Sequence, residues 1–234
     1  MPYFFQNNLS QDSFTLSSEE SKHITKSLRL KEGNYIWITD GQGRLAKAVL
    51  THVYKDTCEV RIVESTFHNS SNTKRITLAV APTKNPNRME WLVEKAVEIG
   101  VSQISFIICD RSERKNVDLS RLQRIAIGAL KQSQGTWLPE IDRLTFQQFI
   151  DENKKCNAAK FIAYCEDKEH AIEISNLKIQ QKDAIFLIGP EGDFTPQEVA
   201  FSKENGFQQI SLGKNILRTE TAALFVLCRF SVMR

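Results

Sequence analysis

Leu187-Ile188-Gly189-Pro190-Glu191-Gly192 and, further on, Leu212-Gly213-Lys214-Asn215-Ile216-Leu217-Arg218-Thr219-Glu220-Thr221-Ala222-Ala223 carry the pattern that decides the fold. Each is an apolar run that breaks at a glycine-bearing turn, and the second turn feeds directly into a helical stretch. Apolar strands alternating with helices indicate an open, largely parallel α/β sheet, which takes its ligands at the carboxyl ends of its strands. Two such turns close together in sequence can build one pocket from backbone amides, which suits a nucleotide-like cofactor.

The first turn follows a predicted strand over 184–188. Pro190 biases Gly189 toward extended backbone and removes one donor. Gly192 can take φ > 0 and lets a ligand approach the backbone closely. Thr195-Pro196-Gln197-Glu198 then reads as a helix start, with Thr195 as N-cap, Pro196 at the first position and Glu198 placed for a capping box. On pattern alone this segment also fits a plain strand–turn–helix connection. In the second stretch Thr219 is the expected N-cap of a last helix running nearly to Arg234. Glu220 falls in its first turn, where the helix dipole favours an anion. The same helix start exposes N–H groups suited to ligand oxygens or ring nitrogens. Arg218 is permanently cationic, so it reads as a partner for an anion or carbonyl, or as a surface arginine beside an ordinary cap. The helix is apolar almost all round, from Ala222 to Met233, which predicts burial on several sides, inside the fold or against a partner subunit.

Outward from this core, the preceding chain alternates in the same way. Residues 76–81 read as a buried strand. Asn87–Ile99 reads as a helix with Leu92, Val93, Ala96, Val97 and Ile99 inward and Gly100 as its stop. A strand over 103–109, a helix over 119–132, a short Thr145-capped helix and a strand over 161–164 come next. Before residue 69 the pattern changes to β. Ser17 with Glu20 predicts a capping box opening a helix to about Leu28, stopped by Gly33. Tyr35–Thr39 is a β-rich run, and Asp40-Gly41-Gln42-Gly43 is a strong turn. Ala46, Ala48, Leu50 and then Cys58, Val60, Ile62 alternate with polar residues, as short strands of a small barrel would. The polar stretch 69–74 is the expected linker between a domain over 1–68 and a second over 75–234.

The length of 234 residues and hydrophobic content of 41% fit an ordinary globular chain that can bury a proper core. No apolar run approaches the roughly 20 residues that span a bilayer, and the start lacks the features of a secretory signal. The five cysteines are dispersed without a CxxC pair, which favours reduced thiols of a cytosolic protein, read as small buried hydrophobes. The four histidines show no ligand spacing, so no metal is expected. Neither turn is a GxGxxG or GxxxxGK[ST] site, and no GxSxG anchors a hydrolase triad. The net charge of +3 is small, but Lys22, Lys26, Arg29 and Lys31 form one cationic cluster, and Arg111, Arg114, Lys115, Arg121, Arg124 and Lys131 another. Such clusters attract phosphates, and they also read as solvated helix faces.

At 187–194 and 212–223, and in the spacing between them, the chain resembles the cofactor loops of SPOUT methyltransferases. Within that group it resembles the small-subunit (16S) ribosomal RNA uridine N3-methyltransferase family along essentially its whole length. His23-Ile24-Thr25-Lys26-Ser27-Leu28-Arg29 resembles the family's PUA-like RNA-binding domain. Lys84 with the run from Arg88-Met89-Glu90-Trp91 to Gly100 resembles the opening strand and helix of the catalytic domain. Arg111-Ser112-Glu113-Arg114, Lys131-Gln132-Ser133 and Pro139 continue the likeness. The chain departs from the pattern at Asp193, where the family has a second glycine, and at Gln134-Gly135-Thr136, where it often has a basic residue. The resemblance implies an N-terminal PUA-like β-barrel, a C-terminal SPOUT α/β domain with a trefoil knot, and a cytoplasmic homodimer with no membrane part. Its expected cofactor is S-adenosyl-L-methionine, and its partners are ribosomal RNA and the small ribosomal subunit.

Carried onto this sequence, the resemblance assigns the cofactor to Leu187, Ile188, Gly189, Glu191, Gly192, Leu212, Gly213, Ile216, Leu217, Thr219 and Thr221. A sulfonium-bound methyl needs little activation, so the enzyme mainly aligns the acceptor. Uridine N3 carries a proton at neutral pH, and its loss spreads charge over O2 and O4, which Arg218 is placed to stabilise. Glu220 either orients Arg218 or accepts the proton. The uridine must leave any stack, and Arg29, Lys31, Lys84, Arg88, Arg114 and Arg121 are expected to hold phosphates. Two alternatives share these features: a SPOUT enzyme for another ribosomal or transfer RNA base, and a non-catalytic RNA-binding assembly factor.

Overall fold

Seven parallel strands, β6 (Ile76–Val80), β7 (Gln103–Ile108), β8 (Glu140–Thr145), β9 (Ala158–Ala163), β10 (Ile172–Glu173), β11 (Asp183–Ile188) and β12 (Gln208–Ser211), make one sheet in the order β10-β12-β9-β11-β6-β7-β8. The computed structural model describes residues 1–69, 74–166, 171–177, 179 and 181–231. Two compact units emerge, one of Met1–Asn72 with Ile127–Leu138, the other of Thr73–Ala126 with Pro139–Arg234. In the second unit the central strands β6 (Ile76–Val80), β9 (Ala158–Ala163) and β11 (Asp183–Ile188) are near-continuous apolar runs, as strands covered on both faces must be. β11 lies between β6 and β9, with Leu187 opposite Ala79 and Ile162, so its carboxyl end delivers Gly189 to the middle of the sheet edge. β12 (Gln208–Ser211) pairs with β9 and delivers the second glycine turn beside the first. β7 (Gln103–Ile108) and β8 (Glu140–Thr145) extend the other side, and β10 is Ile172–Glu173.

Local chemistry sets the helices. α2 (Pro86–Ile99) starts on Asn85, whose side chain accepts from the Asn87 amide, and ends on Gly100 at φ 92. It buries Met89, Leu92, Val93, Ala96 and Val97 at helical spacing, while Ile99, expected inward, is only half-buried. Leu92 is fully buried, so truncating it to alanine would cost about 2–5 kcal/mol. α4 (Phe146–Asn153) and α5 (Pro196–Glu204) each carry a complete capping box, from Thr145 with Gln148 and from Thr195 with Glu198. α6 (Thr219–Ser231) buries Ala222, Ala223, Val226, Leu227 and Phe230, with Phe230 stacked on Phe186 at 4.8 Å. Its other face is open: Phe225 is 42% exposed and Cys228 is exposed. The expected continuation of this helix toward Arg234 lies beyond Ser231, outside the described residues.

The first unit is a five-stranded sheet of β1 (Tyr3–Phe5), β2 (Ser13–Thr15), β3 (Tyr35–Thr39), β4 (Arg44–Tyr54) and β5 (Thr57–Phe67), in the order β1-β3-β4-β5-β2, with β1 and β2 at its edges. The expected alternation is borne out at Ala46, Ala48, Leu50, Cys58 and Val60, which join Phe4, Ile36 and Ile38 in one core, while Ile62, the last of the series, is only partly buried against it. The strands are not all short, because β4 (Arg44–Tyr54) and β5 (Thr57–Phe67) run 11 residues each and absorb register shifts after Lys47 and Leu50. The 40–43 turn forms as read, with Asp40 Oδ1 accepting from the Gln42 and Arg44 amides. A side chain at Gly43 would collide with the Trp137 ring.

Three expectations need correction here. The helix opened by Ser17 is α1 (Ser18–Lys22), which passes into a π-helical turn, His23–Leu28, closed by Arg29 in the left-handed region. Its capping box is half made. Ser17 accepts from the Glu20 amide, but Glu20 turns away to accept from the Phe5 amide and from Lys131 Nζ at 2.7 Å. Lys131 lies within Ile127–Leu138, the last part of α3 (Leu119–Gln132) and the six residues after it, which groups with Met1–Asn72 in one compact unit. Of the cysteines, Cys58 and Cys109 are buried, whereas Cys156, Cys165 and Cys228 are exposed, so the small-hydrophobe reading holds for two of them.

Candidate active site

A cavity of about 270 Å³ opens where the turns after β11 and β12 meet the start of α6. Of the residues expected to hold a cofactor, Ile188, Gly189, Glu191, Leu212, Gly213, Ile216, Leu217 and Thr219 line it, together with Arg218. Leu187 is fully buried in the strand beneath, Gly192 packs near Arg111, and Thr221 is exposed on α6; these three stand outside the lining. The wall also contains Tyr164, Cys165, Asp193 and Asn215, which the motif reading does not single out as site residues. No local pattern marks Tyr164 and Cys165; they arrive because β9 neighbours both β11 and β12.

The first turn is braced from several elements. Arg111 Nη1 donates to the Gly192 carbonyl at 2.9 Å and to the Phe194 carbonyl at 3.3 Å. Asp193 Oδ2 accepts from the Cys165 amide at 2.9 Å, and Glu191 Oε1 accepts from the Lys84 amide at 3.1 Å. Phe194 is fully buried against Phe146. The positive φ of this turn falls on Asp193 (59°) and not on Gly192, the position that the sequence favours. Aspartate tolerates this region better than most residues because its short side chain bonds locally, and here Oδ1 accepts from the Phe194 amide. Space is tight at Gly189, where a Cβ would lie 3.1 Å from the Phe194 ring and 3.2 Å from Asp193 Oδ1.

The second turn joins the first through Thr219. Its side chain does not cap α6 as expected; it is the first helical residue, and its hydroxyl donates to the Gly189 carbonyl at 3.0 Å. Glu220 is buried and pairs with Arg88, Oε1 to Nε 3.6 Å, and not with Arg218; its Oε2 has no hydrogen-bond partner among the described residues. Glu220 does not line the cavity, whereas Arg88 does. Tyr164 is buried and donates to Glu166 at 2.8 Å. Burial first, then the Glu166 carboxylate, pushes its hydroxyl up from 10.0 to about 12.

The other cations expected at phosphates are placed as follows. Lys84 pairs with Glu113 at 3.0 Å, and that carboxylate raises its ammonium above the ordinary value. Arg121 pairs with Glu90 at 2.7 Å and is raised likewise. Arg114 donates to the Asn116 and Lys84 carbonyls and, with Arg121, lines a separate cavity of about 200 Å³ floored by Pro82, Met89 and Leu122. Arg29 and Lys31 are exposed in the first unit.

The chemistry of the main cavity selects among ligands. Its walls are largely apolar (Ile188, Ile210, Leu212, Ile216, Leu217), and its charged lining residues are Arg88, Arg218, Glu191 and Asp193. Two carboxylates offset the two guanidiniums, so the lining has no net positive charge to attract a polyphosphate, while apolar walls with a few polar groups suit a nucleoside. A Cβ on Gly213, at φ 120, would meet nothing within 4 Å, so the backbone there is open to a ligand.

Residues 69–231 match the family described as RNA methyltransferase domain, and residues 16–63 match the RNA methyltransferase PUA domain. The chain belongs to this RNA methyltransferase family. It is 31% identical to the ribosomal RNA small subunit methyltransferase E of Mesomycoplasma hyopneumoniae, across 97% of each chain. Among solved structures, a probable rRNA-methyltransferase from Porphyromonas gingivalis superposes with a TM-score of 0.91 at 38% identity, over 100% of this chain and 98% of that one. The ribosomal RNA small subunit methyltransferase E of Neisseria gonorrhoeae, solved bound to S-adenosyl methionine, gives 0.87 at 29% identity, over 100% and 98%. The α/β class and the PUA-like N-terminal domain expected from the sequence are thereby established. Among the described residues no helix is long and apolar enough to cross a membrane.

Proposed function

We propose that the protein transfers the methyl group of S-adenosylmethionine to N3 of a uridine in small-subunit (16S) ribosomal RNA. Its substrate is the assembled small subunit, and it works as a cytoplasmic homodimer whose C-terminal segment is threaded through a trefoil knot. The observation that carries this reading is the apolar cavity walled by both glycine turns, with Arg218 in its lining. Neisseria gonorrhoeae and Mesomycoplasma hyopneumoniae relatives named as small-subunit methyltransferases support the substrate class.

In this reading Ile188, Leu212, Ile216 and Leu217 enclose the adenosine, and the backbone at Gly189 and Gly213 meets its polar edges. Thr219 locks the two turns together, and Glu191 and Asp193 face the cationic part of the cofactor. The cofactor supplies an electrophilic methyl group on sulfur. Arg218 stabilises the charge that develops on the uracil carbonyl oxygens, an electrostatic contribution of the oxyanion-hole kind. Arg29, Lys31, Lys84, Arg114 and Arg121 hold RNA phosphates and fix the register, with salt-sensitive affinity.

The test is methyl transfer from radiolabelled S-adenosylmethionine to purified small subunits and, separately, to naked ribosomal RNA, with the labelled nucleoside identified by mass spectrometry. The expected product is N3-methyluridine, formed on the subunit in preference to the naked RNA. Label in another nucleoside would move the activity to another base, and absence of cofactor binding would favour an RNA-binding assembly factor.

A further inference from the structure

Arg88, expected from the sequence at a phosphate, lines the same cavity as Arg218. It stands in the first turn of α2, and its Nε faces Glu220 Oε1 at 3.6 Å across to the first turn of α6. The Glu220 side chain is 8% exposed and that of Arg88 34%. A buried carboxylate with one orphaned oxygen needs a countercharge, so Glu220 anchors the guanidinium. A guanidinium has five N–H donors, and neither Nη group of Arg88 has a hydrogen-bond acceptor among the described residues. Arg218 likewise has no side-chain partner among them. The cavity therefore presents two permanently charged donors that the fold itself does not consume.

Resting on the uridine N3 reading above, we infer that Arg88 is a second catalytic and specificity-determining guanidinium, which works with Arg218 to hold the two carbonyl oxygens flanking N3 of a uracil imide. Two cations stabilise the imide anion and so favour its formation at neutral pH, as an opposite charge favours the ionised form of any acid. N3–H gives its proton to solvent water, because Glu220 is outside the cavity lining and is occupied with Arg88. The N3 lone pair then forms the new N–C bond, the methyl–sulfur bond breaks, and its electrons stay on sulfur. A cytosine presents one carbonyl and one amino group at the same positions. The amino group would set a donor against a donor, so the pair of arginines also rejects cytosine. The other charged or titratable groups lining the cavity are Glu191, Asp193, Tyr164 and Cys165.

The experiment compares the wild-type protein with Arg88→Gln and Arg88→Lys on small subunits carrying uridine or 5-fluorouridine, between pH 6 and 9, with calorimetric binding of S-adenosylhomocysteine in parallel. The fluorine makes the imide more acidic and lessens its dependence on the protein's charge. Arg88→Gln is expected to bind S-adenosylhomocysteine as the wild type does and to lose roughly 100-fold or more in turnover on uridine at neutral pH. The pH at which its turnover stops rising should lie about 1–3 units higher. 5-Fluorouridine should recover much of the lost rate, and Arg88→Lys should fall between the two, keeping the charge without the planar fork. Equal losses on both nucleosides with an unshifted pH profile, or loss of S-adenosylhomocysteine binding, would overturn the inference while leaving the uridine reading intact. A wild-type protein that forms no N3-methyluridine would remove that reading and the inference together.

Discussion

The two glycine turns line one cavity but are built on opposite principles. The turn over 189–194 is held by Arg111, by hydrogen bonds from the Cys165 amide to Asp193 and from the Lys84 amide to Glu191, and by buried Phe194. The turn over 212–218 has a local Ser211–Gly213 hydrogen bond, an open Gly213 and Ile216 at 80% exposure. A wall already fixed by hydrogen bonds holds its ligand-facing backbone in place before binding. A wall that keeps a large apolar residue in water gains by covering it. The first turn is thus the preformed half of the site, and the second is the half completed by the ligand.

The sharpest test of this contrast lies at Arg218. It is exposed and has no side-chain partner among the described residues, so Arg218→Ala should leave stability within about 0.5 kcal/mol. Single-turnover methyl transfer should nevertheless fall about 10²–10³-fold with S-adenosylhomocysteine affinity unchanged. The opposite profile is expected for Arg111→Ala, which strips two hydrogen bonds from the first turn. Denaturant unfolding should show a loss of roughly 1–3 kcal/mol, with weaker cofactor binding as the turn loosens.

Asp193 separates bracing from backbone strain. Asp193→Ala loses the clasp on Cys165 and keeps the left-handed backbone, whereas Asp193→Gly loses the clasp alone. The glycine variant should be the more stable of the two by about 1 kcal/mol, as thermal unfolding can read. Ile216→Ala, on the second turn, should leave unfolding unchanged and weaken S-adenosylhomocysteine roughly tenfold, the equivalent of about two of the three lost carbons being covered by the ligand at about 0.8 kcal/mol each. The smallest effect concerns Tyr164. Its folded-state value lies above the unfolded one, so its contribution is complete below pH 10 and disappears as the pH climbs toward about 12. Tyr164→Phe should remove that portion of the alkaline decline in a comparison of melting temperatures against pH.

The contrast also tracks what can be read from the sequence. Local grammar is legible: the Thr145 cap, the Thr195 capping box, the Gly100 stop and the 40–43 turn form where the pattern puts them, and the strands over 76–81, 103–109 and 184–188 form to within a residue, while the one expected over 161–164 runs over Ala158–Ala163. Motif spacing brings Gly189, Gly213 and Arg218 to one cavity. The features that escape depend on partners remote in sequence. Arg88 meets Glu220, Arg111 meets Gly192, and Glu20 leaves its own cap for Lys131. Periodicity carries no signal for such pairs, because only the strand order brings them together. The left-handed residue at 193 escapes for another reason, since glycine at 192 is the more permissive choice and tertiary bracing moves the strain one residue on.

The most direct measurement is hydrogen–deuterium exchange of the wild-type protein, resolved by peptide, with and without saturating S-adenosylhomocysteine. The amides of Asp193 and Phe194, which donate to the Pro190 carbonyl and to Asp193 Oδ1, should already exchange slowly and change little, while those over 212–218 should go from fast exchange to strong protection. Fast exchange at Asp193 and Phe194 in the absence of ligand, or protection by ligand that bypasses 212–218, would contradict the account of a cofactor site with one preformed wall and one completed on binding.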